Sequence, residues 1–589
     1  MIDQSGSRKV KRMNRVIPGG PLNPCPEFSS IPEMIQRTAE MVPDRIAVRE
    51  PAELGKFRSI SYRQLAANID WVARGILELE KEPVAAVVGA NSISWYTVYL
   101  AVHRAGGIVV PMDPDLPEAD MHTILHYSGA NMIFHDSDYS DRFQNMKDII
   151  SVTMNAGLME DGRGLSSVLR QGRMSSLSLP SDYDTHKPAL ISYTSGTTGL
   201  AKGVVHSQDT IIADIRQTIK FVFLDETDVF LSILPVHHMY EGTAGFLLPL
   251  SMGAEIAISH GLRYIKDDLA ATKATVVFAV PLLWEAVYRR IMESIKTASM
   301  GKAKLGFGMA VSAMSEKLGI KGVRRKVFSK VHDTFGGHLR LLISGGSGID
   351  PEVIEGFEKL GFRILQGYGL TETAPIIAVN RVDANRYGSV GPVFSEMECR
   401  ISEPDSYGVG EIQVKGPNVM LGYFGDPEAT AEVLSSDGWF RTGDFGYLDR
   451  DGFLFITGRK KNVIIAKNGK NVYPEEIETR LNRFSHVKEC IIFGKLSETK
   501  GEDICALVFP DRDLLIAEAE KENRKLSIKD EIKAVRNVVR DYNRTAETHK
   551  RITGFIISEE EFPKTTTKKI KRKAALKEAG ITPGEIFRV

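Results

Sequence analysis

The sequence predicts an α/β protein of at least two domains, and three observations carry that expectation. Its 589 residues exceed what a single hydrophobic core organises. From about residue 30 to 380, short apolar runs alternate with stretches whose apolar residues recur at helical spacing. Past Gly388 this gives way to short alternating strands, and past Arg459 the texture changes again.

The strand candidates in the first region are the Val- and Ile-rich runs at 84–89, 108–112, 189–193, 229–234, 275–280 and 339–343. Residues 92–105 and 282–295 between them read as helices. Buried strands alternating with helices predict parallel sheets covered on both faces. Residues 397–402 and 411–415 alternate apolar and polar side chains between Gly, Pro and Asp turns, which predicts a smaller antiparallel unit. The last region reads as α+β, with strands near 489–493 and 504–509 and a helix near 528–541. The expected division is a basic disordered arm over 1–27, a large domain over 28–458 and a small domain over 459–589.

Composition narrows the function classes. Lys plus Arg and Asp plus Glu both total 75, so no net field recruits nucleic acid. The four cysteines, Cys25, Cys399, Cys490 and Cys505, are too scattered for a zinc site or a disulfide framework and suit a reducing compartment. No apolar run reaches the ~18 residues of a spanning helix, and the N-terminus lacks the apolar stretch of a secretory signal. A cytoplasmic location is therefore expected, with peripheral membrane contact as the alternative. Two basic segments bear on that alternative: the arm with Arg8, Lys9, Lys11, Arg12 and Arg15, and residues 296–330. Both read first as solvated charged surface, and second as membrane-resting segments.

The loops carry the chemistry. Tyr193-Thr194-Ser195-Gly196-Thr197-Thr198-Gly199-Leu200-Ala201-Lys202-Gly203 follows a strand candidate. Glycines let backbone N–H groups approach a phosphate, hydroxyls add donors, and Lys202 adds charge. The order is not that of a Walker loop, which disfavours a P-loop NTPase. A second loop, Gln366-Gly367-Tyr368-Gly369-Leu370-Thr371-Glu372-Thr373, offers a flat ring for a base, a hydroxyl, and a hard carboxylate suited to Mg2+. Ser344-Gly345-Gly346-Ser347 is a turn whose backbone could meet a purine edge. Asp444, in Trp439-Phe440-Arg441-Thr442-Gly443-Asp444, and Arg459 suit a ribose and a phosphate. By composition, Phe562-Pro563-Lys564-Thr565-Thr566-Thr567-Lys568-Lys569-Ile570 is only a basic tail.

Taken together and in this order, these motifs resemble the adenylate-forming superfamily of acyl-CoA synthetases, adenylation domains and luciferases, from about residue 30 to the end. The resemblance implies a large N-terminal domain of two α/β sheets plus a β-barrel, followed by a small mobile α+β domain. It implies that Thr194, Ser195, Gly196, Thr197, Thr198, Gly199 and Lys202 hold the β- and γ-phosphates of ATP. Gly345, Gly346, Gly367, Tyr368, Asp444, Ile456 and Arg459 would complete the nucleotide site, with Tyr368 on adenine and Asp444 on the ribose. Thr371 would contact the α-phosphate, Glu372 would bind Mg2+, and Lys569 would be the catalytic lysine. Lys461 would be the hinge and Gly469 would line the coenzyme A tunnel. The sequence departs from the family at Lys568, where a glycine is usual.

Leu234-Pro235-Val236-His237-His238-Met239-Tyr240-Glu241 resembles the long-chain acyl-CoA synthetase form of a motif beside the acyl site, with His238 at the pocket mouth. Met239 stands about where an amino-acid-activating relative would carry an ammonium-pairing aspartate. The expected activity is ATP-dependent activation of a medium- to long-chain fatty acid through acyl-AMP, then transfer to coenzyme A. A fatty acyl-AMP ligase that delivers to a carrier protein, an aryl-acid ligase and a non-catalytic binding module remain as alternatives.

Overall fold

The computed structural model describes residues 17–154, 164–194, 202–297, 322–496, 501–565, 569–580 and 586–589. Two large sheets dominate the first 380 residues. One has eight strands, running Ile376–Val379, Ile364–Gly369, Leu341–Ser344, Val276–Ala279, Val229–Ser232, Glu255–Ile258, Ile46–Glu53 and Lys56–Ser61. The other has seven, running Gly422–Tyr423, Lys202–Ser207, Pro188–Thr194, Ile108–Met112, Val84–Val88, Met132–His135 and Ile150–Thr153. Every strand expected from apolar runs is present, within a few residues at its ends.

The helices Ile93–Arg104 and Gln208–Phe221 touch strands of both sheets, which places them in the shared core. Ser92 caps the first by accepting from the Trp95 N–H, and Ser207 caps the second by accepting from that of Thr210. Such caps satisfy donors that the first helical turn leaves open. Trp95, Tyr96 and Phe246 are wholly buried there, and Tyr96 stacks on Phe246 with ring centroids 4.2 Å apart.

The sheets are mixed, whereas parallel sheets were expected. Pro188–Thr194 and Lys202–Ser207 pair antiparallel, as do Ile364–Gly369 and Ile376–Val379. The connections are too short for anything else: a parallel crossover takes about a dozen residues or more. The third sheet, expected as a barrel, pairs as an open five-stranded antiparallel sheet. Its order is Gly391–Pro392, Phe453–Arg459, Phe440–Leu448, Gly410–Lys415 and Glu398–Ser402.

The remaining chain builds a separate core. Ile464, Val472, Ile492, Ala506, Val539 and Phe555 pack together without a buried residue from before 460. Val487–Leu496, Glu502–Pro510, Gly554–Ile557 and Phe587–Arg588 form its sheet, and the amphipathic helix Ile528–Thr545 covers it.

Two expectations about basic segments need correction. Residues 1–16 lie outside the described residues, but 17–27 are not a free arm. Arg381, itself buried, donates to the carbonyls of Pro18 and Pro21, and Asn23 donates through its backbone N–H to Lys220 O at 2.9 Å. In the segment 296–330, residues 298–321 are outside the described set. Beyond them Arg324 and Arg325 turn inward onto carbonyls of Glu358 and Leu339, so these two cations do not belong to a solvated face.

Candidate active site

Ligands of α/β sheets sit off the carboxyl ends of parallel strands, and here two such ends face one cleft. Residues 345–346 follow the strand Leu341–Ser344, 234–238 follow Val229–Ser232, and Asp113 follows Ile108–Met112. The C-terminal domain adds Lys569.

Thr194 and Lys202 are cross-strand partners at the mouth of the Pro188–Thr194 hairpin. Ser195, Gly196, Thr197, Thr198 and Gly199 lie outside the described residues. Lys202 Nζ stands 4.7 Å from the ring centroid of Tyr423, a cation–π distance. The Tyr423 hydroxyl donates to Glu372 Oε1 at 2.9 Å. Tyr423 thus couples Lys202 to Glu372, a role the sequence reading missed.

Gly345 is fixed by its neighbour: a Cβ there would come within 2.8 Å of the Tyr240 ring. Gly346 has φ +85, which a side chain would strain, and the Cβ position it lacks is 3.7 Å from Lys569 Cε. Gly367 and Tyr368 lie within the strand Ile364–Gly369 rather than after it. The Tyr368 hydroxyl donates to Asp444 Oδ2 at 2.7 Å, and Arg459 Nε reaches Asp444 Oδ1 at 2.8 Å. Asp444 and Arg459 are register partners on adjacent strands, with Ile456 opposite Gly446 on the same pair. Burial raises the Asp444 carboxyl above its ordinary value while Arg459 opposes the shift. Burial and the Asp444 charge together hold the Tyr368 phenol well above its own.

Thr371 and Glu372 sit in a single 3-10 turn, pinned from three directions. His206, fully buried, bonds through Nε2 to Thr371 O at 2.7 Å. The Met420 N–H donates to Glu372 O at 2.9 Å. Asn418 Nδ2 donates to Thr373 O, Ile376 O and Asp214 Oδ1, at 2.9, 2.7 and 3.1 Å. Burial lowers His206 to about 4, so its ring is neutral near neutral pH. Its Nδ1 pairs locally with Thr210, but the contact with Thr371 spans the sequence, so no local pattern could have found it.

The Lys569 chain enters the cleft beside Gly346. Its loop is closed by the Lys564–Ile570 bridge and by the Thr565 N–H donating to Lys569 O at 2.8 Å. Lys569 is open to cleft water yet walled by protein, and that desolvation, with Arg459 nearby, lowers its pKa while Asp444 opposes. Lys568 lies outside the described residues. His238 is within the field of Lys569, and burial holds its ring down to about 3. His237 beside it is held down to about 4 by burial.

The structure does not bring Gly469 to this cluster. It has φ +77 at an exposed turn, with no heavy atom within 4 Å of the position of its absent Cβ. Lys461 lies in the short turn Lys460–Asn462 that joins the two cores.

Two facing α/β sheets, an Asp–Arg–Tyr cluster, a carboxylate-bearing turn and a lysine from a second domain define a two-domain nucleotide-handling enzyme. Residues 35–424 match the AMP-binding enzyme family and 461–579 match the AMP-binding enzyme C-terminal domain. The chain belongs to the AMP-binding enzyme family, the adenylate-forming superfamily. One relative is the peroxisomal long chain acyl-CoA synthetase 6 of Arabidopsis thaliana, 30% identical over 81% of this chain and 72% of its own. Another, from the same plant, is the chloroplastic long-chain-fatty-acid–[acyl-carrier-protein] ligase AEE15, 25% identical over 83% and 77%. Among solved structures, ATP-bound MatB from Rhodopseudomonas palustris aligns with a TM-score of 0.72 at 24% identity, over 93% of this chain and 98% of that one.

Proposed function

We propose that this enzyme joins a medium- to long-chain fatty acid to coenzyme A in two steps. First a carboxylate oxygen attacks the α-phosphorus of ATP, and pyrophosphate leaves. The coenzyme A thiol then attacks the acyl carbon of the acyl-AMP, and AMP leaves with the bonding pair. The observation that carries this reading is the position of Lys569 in the cleft beside Gly346, with Arg459 and Asp444 as its charged neighbours. A cation there offsets the charge that builds between carboxylate and α-phosphate.

In this reading the chain's residues divide the work. Tyr368 and Gly345–Gly346 take the base, and Asp444 with Arg459 takes the ribose. Lys202 and residues 194–199 take the distal phosphates. Thr371 meets the α-phosphate, and neutral His238 marks the entrance of the acid. Glu372 is a fitting ligand for Mg2+: it is a hard carboxylate whose Oε1 is oriented by Tyr423. When bound, Mg2+ supplies charge neutralisation of the phosphates. The present arrangement is the one for adenylation. Thioester formation follows rotation of residues 459–589 about Lys461, which brings Gly469 to the pantetheine path.

The likeness to long chain acyl-CoA synthetase 6 supports a fatty acid and coenzyme A. The likeness to AEE15 supports a second acceptor, an acyl carrier protein. Pyrophosphate release should be measured with ATP, Mg2+ and a panel of fatty, aryl and amino acids, with and without coenzyme A. Release with a fatty acid, thioester only when coenzyme A is present, and loss of about 10²–10³-fold in Lys569→Ala is the expected outcome. Release without thioester transfers the reading to a carrier-protein ligase, and release with aryl acids alone overturns the fatty-acid assignment.

A further inference from the structure

At the entrance of the acid site stand three ligand-type side chains, of which the chemistry above uses one. Asp113 comes from the seven-stranded sheet, and His237 and His238 from the eight-stranded sheet. Each offers one ligand atom, and these atoms lie within 4.8 Å of one another. Their convergence depends on the facing of two sheets, and the sequence separates Asp113 from the histidines by more than a hundred residues.

His237 gives the cluster its direction. It is 7% exposed, and its Nε2 is buried with no hydrogen-bond partner. Buried polar atoms are ordinarily satisfied, so an orphan of this kind calls for an explanation. Nε2 lies 3.8 Å from Asp113 Oδ2. That is too long for a hydrogen bond, yet near the ~3.3 Å edge of a tetrahedron whose metal–ligand bonds are about 2.0 Å. The His237 and His238 rings have centroids 4.2 Å apart and are tilted by 50°, so neighbouring residues can address one point. Two neutral imidazoles and a carboxylate form a donor set suited to Zn2+ and poor for Mg2+, which prefers oxygen ligands alone.

We propose that Asp113, His237 and His238 bind a divalent transition-metal ion of the Zn2+ class, at a site separate from Glu372. Three protein ligands leave a fourth position open. An ion here stands beside His238, which the acid-adenylation reading places at the entrance of the acid. Its open position captures the incoming carboxylate, so Zn2+ inhibits adenylation in competition with the acid. The inhibition rests on the acid-adenylation reading, whereas the binding does not.

Calorimetric titration of Zn2+ into the metal-free full chain, in excess Mg2+, tests the site directly. Wild type should take up one ion at this site, and H237A and D113N should each bind it at least about tenfold more weakly with unchanged far-UV circular dichroism. Asp113 is partly exposed, so D113N serves if H237A folds poorly. Co2+ in place of Zn2+ should give tetrahedral d–d absorption bands that both variants lose. No uptake by wild type, or equal uptake by both variants, overturns the site. Zn2+ binding that leaves acid-dependent pyrophosphate release unchanged overturns the inhibitory role. Zn2+ binding to a chain that releases no pyrophosphate with any acid would fault the adenylation reading and leave the site standing.

Discussion

Tyr423 and Lys569 show at the residue scale how much of the site depends on electrostatic neighbours. Tyr423→Phe keeps the ring under Lys202 but removes the donor to Glu372 Oε1. A hydrogen bond to a charged group contributes about 1.5–3 kcal/mol. Acid-dependent pyrophosphate release by this variant should therefore fall roughly tenfold or more, with a raised Mg2+ requirement; an unchanged Mg2+ profile would remove Tyr423 from the cation site. In the proposed reaction Lys569 works as an ammonium, and desolvation with Arg459 nearby lowers its pKa. Raising pH removes the working form, and a lowered pKa brings that loss to lower pH. Adenylation should thus decline on the alkaline side below the ordinary lysine value of about 10.4. Lys569→Arg stays charged above pH 12 and should flatten this limb while working more slowly. The loop of Tyr368 and Glu372 offered a flat ring and a hard carboxylate in its own residue types, whereas Lys569 was singled out only by the resemblance to a family. Tyr423, His206 and Asp113 were not legible in the sequence, because their significance lies in a partner that only folding supplies.

The decisive element is the turn of residues 370–376. Its carbonyls accept from His206 and Asn418, and Asp214 accepts from the Ile376 N–H at 2.9 Å. Burial pushes the Asp214 carboxyl well above its usual range, so its bonds to Ile376 and Asn418 are formed in a desolvated setting. Asn418→Ala removes a donor shared by three acceptors, of which Asp214 Oδ1 keeps the Ile376 N–H, and should cost about 2–4 kcal/mol, seen as a lower urea midpoint. It should also lower pyrophosphate release, since Thr371 and Glu372 ride on this turn. A midpoint equal to wild type would show that solvent replaces Asn418. The strands themselves were readable, because buried Val and Ile runs report their own burial. The antiparallel pairing of Thr194 with Lys202 was not: the run between them was read by composition, while the pairing depends on the sheet that receives both strands.

At the scale of the whole molecule, charged contacts join the two domains, beside an edge-on contact of Phe445 with Tyr473 whose ring centroids are 6.1 Å apart. Arg483 of the C-terminal domain binds Asp350 in two-pronged fashion, at 2.7 and 2.8 Å, and also pairs with Glu352. Asp350 is the cap of the helix Pro351–Lys359, accepting from the Glu352 N–H at 2.9 Å. Lys460 reaches Glu411 at 3.0 Å, and Lys470 reaches the Tyr407 hydroxyl at 3.0 Å. Contacts of this kind hold an arrangement without locking it. Arg483→Ala should weaken the adenylation arrangement by about 1 kcal/mol. Acyl-AMP formation should then fall several-fold, while thioester formation from supplied acyl-AMP is spared. Equal losses in both half-reactions would count against a rotation that separates them.

The sequence by itself determined the order of the strands and helices, the change of texture near 459, and the residue types of the loops that the family resemblance assigns to nucleotide in the proposed reaction. These are local properties: burial is written in apolar runs, and phosphate, base and cation chemistry in residue type and spacing. Only the tertiary structure decided that the sheets are mixed, that Pro18 and Pro21 are strapped to Arg381, and that Lys569 of the second domain stands beside Gly346. It alone brought Asp113 to His237. Each of these depends on which surfaces face one another after folding, and separation along the chain carries no record of that.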